Sequence, residues 1–411
     1  MRFHSRCTGA TAAVLRPLLK RAGFAALLAT AMALPSTAQA APTYVGEVVM
    51  TGLLNPRGLT FDATGRILVS EAGEGGADCS VAPAPPLIPP VTNRCWGQTG
   101  AVVRYDPSTN TSSRPWSALD SIARSSNPSN LSPVAGLMDL TYTDDGRLLG
   151  VFGYRGDPAT RPTGGSLFAT LVEFKETGPS GPTVESLADL GAYESSHPSH
   201  SPAFSNPFAL AWKSGVSYIT DAGANRLLKV SDGTSIVERL EDFPNIAPPI
   251  GAEAVPTGLA VSPDGTLYIT QLPGFPFAPN SASIFSSTGA PNTAVAISGG
   301  LTNVMDLSLG ADGWLYLVQY AEDFSSPIGT GSLRRFNPLT MAHQVLAQNI
   351  DRPTGVVALP DGTVYVSTGG STTSGALVRY TPGPLPIAGA VLAWRQARVL
   401  RRRIKGTGRI G

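Results

Sequence analysis

Short apolar runs alternate along most of this chain with segments of strict apolar–polar alternation, and a turn signature separates the members of each pair. The clearest case is Pro256–Thr270, where Leu259-Ala260-Val261 is followed by Pro263-Asp264-Gly265 and then by Leu267-Tyr268-Ile269-Thr270. Pro263 presets φ for a turn and Gly265 accepts a positive φ, so the two segments are expected to form a β-hairpin. The same phrase returns at Pro353–Ser367, at Asn303–Leu317 and at Asn55–Val69, with looser copies at Gly136–Gly146 and Asn206–Gly215. Aligned on the residue before the first strand, the copies fall at Gly58, Asp139, Ala209, Gly258, Asp306 and Gly355, at intervals of 81, 70, 49, 48 and 49 residues. A repeat of this length predicts an all-β chain folded as a six-bladed β-propeller, with long insertions in its early blades. A lone hairpin cannot bury both faces, so the blades must stack radially and share their cores.

The last repeat shows three strands only, at Gly355–Leu359, Val364–Ser367 and Ala376–Tyr380, whereas Tyr44–Met50 near the other end has no hairpin partner. Pairing the amino-terminal segment outside the last blade supplies its fourth strand, closes the ring and removes an exposed edge. Abundant glycine and proline, 45 and 36 residues, suit turns between short strands and leave little room for helix.

Both ends differ from this body. Arg2, Arg6, Arg16, Lys20 and Arg21 precede or flank an uncharged apolar run, Ala22–Leu34, followed by Ala38-Gln39-Ala40; residues 1–40 therefore read as a signal peptide for export. The propeller is expected over 41–381 and a separate tail over 382–411. In the tail a proline motif, Pro382-Gly383-Pro384-Leu385-Pro386, precedes the apolar Ile387–Trp394 and an arginine cluster ending at Arg409; it resembles the PEP-CTERM class of bacterial sorting tags. The alternative is a basic amphipathic segment lying on a membrane surface. Removing both ends, which hold twelve bases and no acid, leaves 18 bases against 29 acids, a net charge of −11. A body so acidic is expected to be repelled by nucleic acid and by anionic lipid. With Cys7 in the leader, Cys79 and Cys95 are the only cysteines of the body; they bracket a proline-rich insert and are expected to form one disulfide in an exported chain.

The second strand of each repeat runs out into a loop on one face of the ring. Glu71, Asp221, Gln271 and Gln319 occupy this exit in four repeats, while Asp139 and Asp306 stand where other copies have glycine and are expected to project toward the axis. Such a ring suits ligand binding at a central funnel, and Glu71, Asp139, Asp221 and Asp306 are the candidate ligands for a divalent cation such as calcium. The alternative is that these side chains satisfy turn backbone groups. Phe275 and Phe277, on the proline-held loop Leu272–Pro279, offer an apolar surface for a ligand, or else fold back to plug the funnel. His197 and His200 lie in a Ser/Pro-rich context that suits a linker better than a metal site. Gly-x-Ser-x-Gly, His-Glu-x-x-His, Cys-x-x-Cys and Walker-type phosphate loops are absent from the sequence.

Several phrases go beyond generic repeats: Asn55–Leu59, Glu71-Ala72-Gly73 with the Cys79–Cys95 loop, Cys95–Val102, Leu187–Glu194, Ser205–Phe208, Thr220–Asn225 and Gly274–Phe277. Through them residues 44 to 381 resemble the ScyD/ScyE family, named for proteins encoded with scytonemin biosynthesis genes. The resemblance implies an exported six-bladed propeller of the NHL/SMP-30-like kind. The second repeat departs from the pattern, because Leu148–Gly153 has no polar exit residue. Two functions remain open. One is a monomeric, non-catalytic binding, scaffold or biosynthesis-accessory protein for a small molecule or envelope component, placed in the periplasm, on the outer surface or outside the cell, and met by the machinery that reads its tail. The other is a metal-dependent hydrolase or lactonase-like enzyme working at the funnel.

Overall fold

The computed structural model describes residues 43–81, 94–124, 134–176, 181–326 and 328–383. The segment expected to be a signal peptide, nearly all of the expected tail and the proline-rich part of the Cys79–Cys95 insert lie outside the described residues. The described chain forms six antiparallel sheets, one per blade. Their innermost strands are Pro56–Phe61, Leu137–Tyr142, Pro207–Lys213, Pro256–Val261, Val304–Leu309 and Gly355–Ala358, and later strands step outward in order. In the first blade Arg94–Asp106 is long enough to pair with Ile67–Glu71, with the short Asp78–Val81 beyond it, and with Thr111–Arg124.

The repeated turn forms as its residues require. In the fourth blade the Gly265 N–H donates to Ser262 O and the Ser262 N–H to Thr266 O, with Gly265 at φ +89°. A side chain there would be strained, which is why the turn carries glycine. The second strands Ile67–Glu71, Leu148–Phe152, Leu315–Gln319 and Val364–Thr368 are buried along their whole length, since both of their faces meet neighbouring blades.

Each of the six blade junctions has its own apolar cluster. Between the first and second blades Leu68, Val102 and Trp116 meet Leu137, Phe152 and Phe174, with the Trp116 and Phe174 rings edge to face at 5.3 Å. At the closing junction Leu59, Val69 and Tyr105 of the first blade pack on Val357, Tyr365 and Leu377 of the last. Among the described residues helix is confined to Pro158–Thr160 and to Leu190–Ser196, whose first turn is capped by Asp189 accepting from the Ala192 N–H. Cys79 and Cys95 are disulfide-bonded and join Asp78–Val81 to the strand beside it.

The ring closes through its amino terminus. Tyr44–Leu53 pairs antiparallel with Gly375–Pro382, from Tyr44 opposite Pro382 to Leu53 opposite Gly375, and forms the outer strand of the last blade. Tyr44 and Leu53 anchor the two ends of this strand in the core, each contributing about 2 kcal/mol by burial. A chain shortened to begin at Asn55 is expected to lose cooperative thermal unfolding, or to aggregate through the uncovered Gly375–Pro382 edge. Unaltered calorimetric unfolding of that chain would show that closure contributes nothing.

Candidate functional site

The axis of the ring is built before any site can be. Each inner strand is the edge of its blade, and its outward-facing backbone groups need partners. They find them across the junctions. Ser70 Oγ donates to Met138 O at 3.1 Å, Thr220 Oγ1 to Thr257 O at 2.7 Å, and Thr257 Oγ1 to Val304 O at 2.7 Å. Thr354 Oγ1 and Ser367 Oγ close the ring on Pro56 O and Arg57 O, each at 2.7 Å. At the remaining two junctions the partner is an N–H, and a carboxylate accepts: Leu210 N–H to Asp139 at 2.8 Å and Val356 N–H to Asp306 at 2.9 Å. Inner strands approach so closely that a Cβ on Gly58 would lie 1.9 Å from the Asp139 carboxylate. Asp139 and Asp306 thus lie on opposite blades, buried at the axis. Burial pushes Asp306 up to about 7; burial, reinforced by the charge of Asp306, raises Asp139 well above the carboxylate range.

The four exit residues sit at equivalent places on one face, each opposite the residue that opens its own inner strand or one step from it. Glu71 is fully buried, accepts from the Leu54 N–H and is held by a bidentate Arg114 guanidinium at 2.9 Å. Asp221 accepts from Ser205 Oγ and from the N–H groups of Asn206, Gly223 and Ala224. Gln319 accepts from the Thr302 N–H at 3.1 Å, and Gln271 is buried at the matching position. Three of these four residues therefore tether the loop that leads into their own blade. Among the described residues no three His, Cys, Asp or Glu side chains converge as a metal-binding group.

The aromatic side chains of the proline-held loop pack on one another and on the next blade. Phe275 is 59 % exposed, and its ring meets Phe277 edge to face at 6.3 Å. Phe277 stacks on Phe324 of the next blade at 4.0 Å, and Phe324 stacks in turn on Tyr320 at 5.9 Å. This aromatic ladder leads inward to the Tyr320 hydroxyl, which meets Ser371 Oγ at 2.8 Å, within electrostatic reach of Arg57. His197 stacks on Tyr193, and His200 pairs with Glu253 at 3.5 Å, which raises its pKa.

A group of arginines on this face was not anticipated. Arg57, at the head of the first inner strand, donates to the carbonyls of Pro56, Gly370 and Val134. Arg94 donates to Tyr154 O and lies over the Tyr154 ring at 4.7 Å. Arg155 follows the second strand of the second blade in a left-handed conformation, φ +56°, and feels the charges of Arg94, Arg57 and Arg124. Burial first, then in Arg155 these like charges, push Arg57 and Arg155 down to about 10. One sequence signal was present: at the position before the aligned residue the repeats carry Arg57, Met138, Phe208, Thr257, Met305 and Thr354, so Arg57 is the one charged member.

Comparison with known proteins supports the fold and goes no further. A glucose dehydrogenase shares 13 % identity and a TM-score of 0.50, covering 82 % of this chain and 100 % of its own. A calcium-binding regucalcin from Agrobacterium tumefaciens shares 14 % identity and a TM-score of 0.49, covering 84 % of this chain and 98 % of its own. The soluble aldose sugar dehydrogenase of Escherichia coli, in its apo form, shares 13 % identity and a TM-score of 0.46, covering 83 % and 100 %. At such identity the likeness shows the β-propeller fold alone. No protein-family model matches the chain, and no curated protein does.

The axial carboxylates give a pH signature. Their folded pKa values lie above the unfolded ones, so between 3.8 and about 7 the folded chain keeps protons that the unfolded chain has released. Stability is therefore greatest at the acidic end of that window and falls as pH rises through about 7. His200 acts in the same direction, since its folded pKa is also raised. The melting temperature is expected to decline between about pH 5 and pH 7.5, and Asp306→Asn to flatten that decline by removing the titrating group. An equal decline in the two proteins would place the titration elsewhere.

Proposed function

We propose that the chain is an exported propeller of the ScyD/ScyE kind that binds a small molecule or envelope component on its loop-bearing face without transforming it. Its signal peptide sends it out of the cytoplasm, and its tail meets a sorting machinery or holds it at the surface. The observation that carries the binding reading is how the acids of that face are used. Glu71 is neutralised by Arg114, and both oxygens of Asp221 accept hydrogen bonds from the scaffold. Neither offers a free carboxylate for base catalysis, which needs a group within reach of a reacting proton. The ladder of Phe275, Phe277, Phe324 and Tyr320 has the rigid, partly exposed aromatic surface that recognition uses.

A second reading, a metal-dependent hydrolase or lactonase-like enzyme, draws support from one feature. Asp139 and Asp306 are like-charged groups with raised pKa values facing one channel, a pattern found in active sites. Against it stand the backbone N–H groups that each carboxylate already accepts from. Metal analysis of the purified protein separates the two readings: stoichiometric calcium or a transition metal would favour the enzyme.

Phe275→Ala is expected to change stability by less than about 0.5 kcal/mol, since the ring is mostly exposed. Phe277→Ala loses a stacked partner and is expected to cost about 1 kcal/mol. Saturation-transfer NMR with benzamide as a simple aromatic probe should show ring contact in the parent protein and a weakened signal in both variants. A large drop in melting temperature for Phe275→Ala, with benzamide contact unchanged, would assign this loop to the scaffold.

A further inference from the structure

Eleven arginines of the propeller form ion pairs: Arg114 with Glu71, Arg226 with Glu194 and Asp242, Arg352 with Asp351, and eight more across the blades. Arg57, Arg94 and Arg155 depart from this rule. Their neighbours are backbone carbonyls, an aromatic ring and one another, and no carboxylate pairs with any of them among the described residues. None of residues 1–42, 82–93, 125–133, 177–180, 327 and 384–411 is Asp or Glu, so no acidic side chain outside the described residues can pair with them.

Three further facts make this a built arrangement. Arg94 is only 4 % exposed, yet its Nη1 has no hydrogen-bond partner among the described residues, and a Cβ on Gly156 would lie 2.6 Å from it, so this nitrogen is lodged beside the residue following Arg155. Arg57 and Arg94 are each fixed by carbonyl acceptors that orient the guanidinium and leave its charge uncancelled. Arginine stays protonated at any physiological pH, and a buried cation without a counter-charge costs free energy. In a body of net charge −11 with acids to spare, three arginines grouped without one need an anion from outside. The aromatic ladder arrives at the same place, since Tyr320 lies within reach of Arg57.

We propose that the channel mouth on the loop-bearing face seats the oxyanion of an aromatic small molecule, with Arg57, Arg94 and Arg155 holding a carboxylate or phosphate and the Tyr320–Phe324–Phe277 ladder stacking its ring. This rests on the binding reading of that face and names the chemistry of its ligand. It runs against the acidic net charge of the body, which disfavours anions at a distance. Guanidinium forks match planar carboxylates and phosphates in geometry, so both chemistries fit and the test separates them.

The test uses the purified chain with benzoate, phenyl phosphate, benzamide and inorganic phosphate, read by calorimetric titration and thermal shift. Benzoate or phenyl phosphate should bind at least about tenfold more tightly than benzamide, and the preferred one identifies the oxyanion. That preference should shrink as sodium chloride is raised, as a contact between charges requires. Arg155→Gln should lose about tenfold in affinity for the preferred anion, and its melting temperature without anion should be unchanged or higher, because a like charge has been removed. Arg155→Lys, which keeps the charge, should recover part of the binding and confirms the folded state. Equal binding of benzoate and benzamide would overturn the anion seat while leaving the binding face intact. Anion affinity unchanged in Arg155→Gln would overturn it too. Inorganic phosphate binding as tightly as phenyl phosphate would remove the aromatic part of the proposal.

Discussion

The fold depends on how six inner strands, each the open edge of its own sheet, are joined around an axis without pairing with one another. Apolar clusters hold the blades face to face, but they cannot satisfy the edge groups. The side chains that cross each junction do so, and their identity follows from what they must reach. Where the neighbour presents a carbonyl, a hydroxyl donates, as with Ser70, Thr220, Thr257, Thr354 and Ser367. Where it presents an N–H, only an acceptor serves, and aspartate appears. The aligned column Gly58, Asp139, Ala209, Gly258, Asp306, Gly355 therefore carries aspartate at two places for a structural reason. Its two carboxylates stand three blades apart, which places them across the axis. There the desolvation that makes each hydrogen bond strong also raises the cost of two negative charges in one channel.

Much of this was legible before any coordinates. The hairpin phrase reports itself through proline, aspartate and glycine at fixed offsets, because turn geometry is local and the residues that permit it are few. Closure by Tyr44–Leu53 was legible as a count, three strands at one end and one strand unpaired at the other. The cysteine pair followed from there being no other partner. The exit column was located correctly on one face, yet its chemistry was not readable. Glu71 and Asp221 look alike in the repeat. The partner that neutralises Glu71 is Arg114, which lies 43 residues on in an outer strand that only the first blade elaborates. A column fixes where a side chain stands; its partners come from insertions that no repeat describes.

The arginine group was illegible for the same reason. Arg57 belongs to a repeat, Arg94 flanks the disulfide, and Arg155 trails the second strand of the second blade, the copy that lacks a polar exit residue. That departure from the pattern is where the chain places a cation, Arg155. Repeat architectures keep their regular positions for blade-to-blade packing, so chemistry specific to one protein tends to enter where the repeat is broken.

Net charge and local charge then act at different ranges. A body of −11 sets a weak field at a distance, screened within about 8 Å at physiological ionic strength. At contact, the sign a ligand meets is that of the nearest desolvated groups. Four acids near the loop-bearing face already have partners, Glu71 in Arg114, Asp351 in Arg352, and Asp139 and Asp306 in backbone N–H groups of the next blade. Three guanidinium groups remain without a carboxylate partner among the described residues, and two of them, those of Arg57 and Arg94, are oriented by backbone carbonyls. An acidic protein can thus present a cationic seat, and its outer charge would slow polyanions more than a small monoanion able to pass inside the screening length. On this argument the ligand of such a face is small, and its specificity resides in the pairing of one oxyanion with one ring.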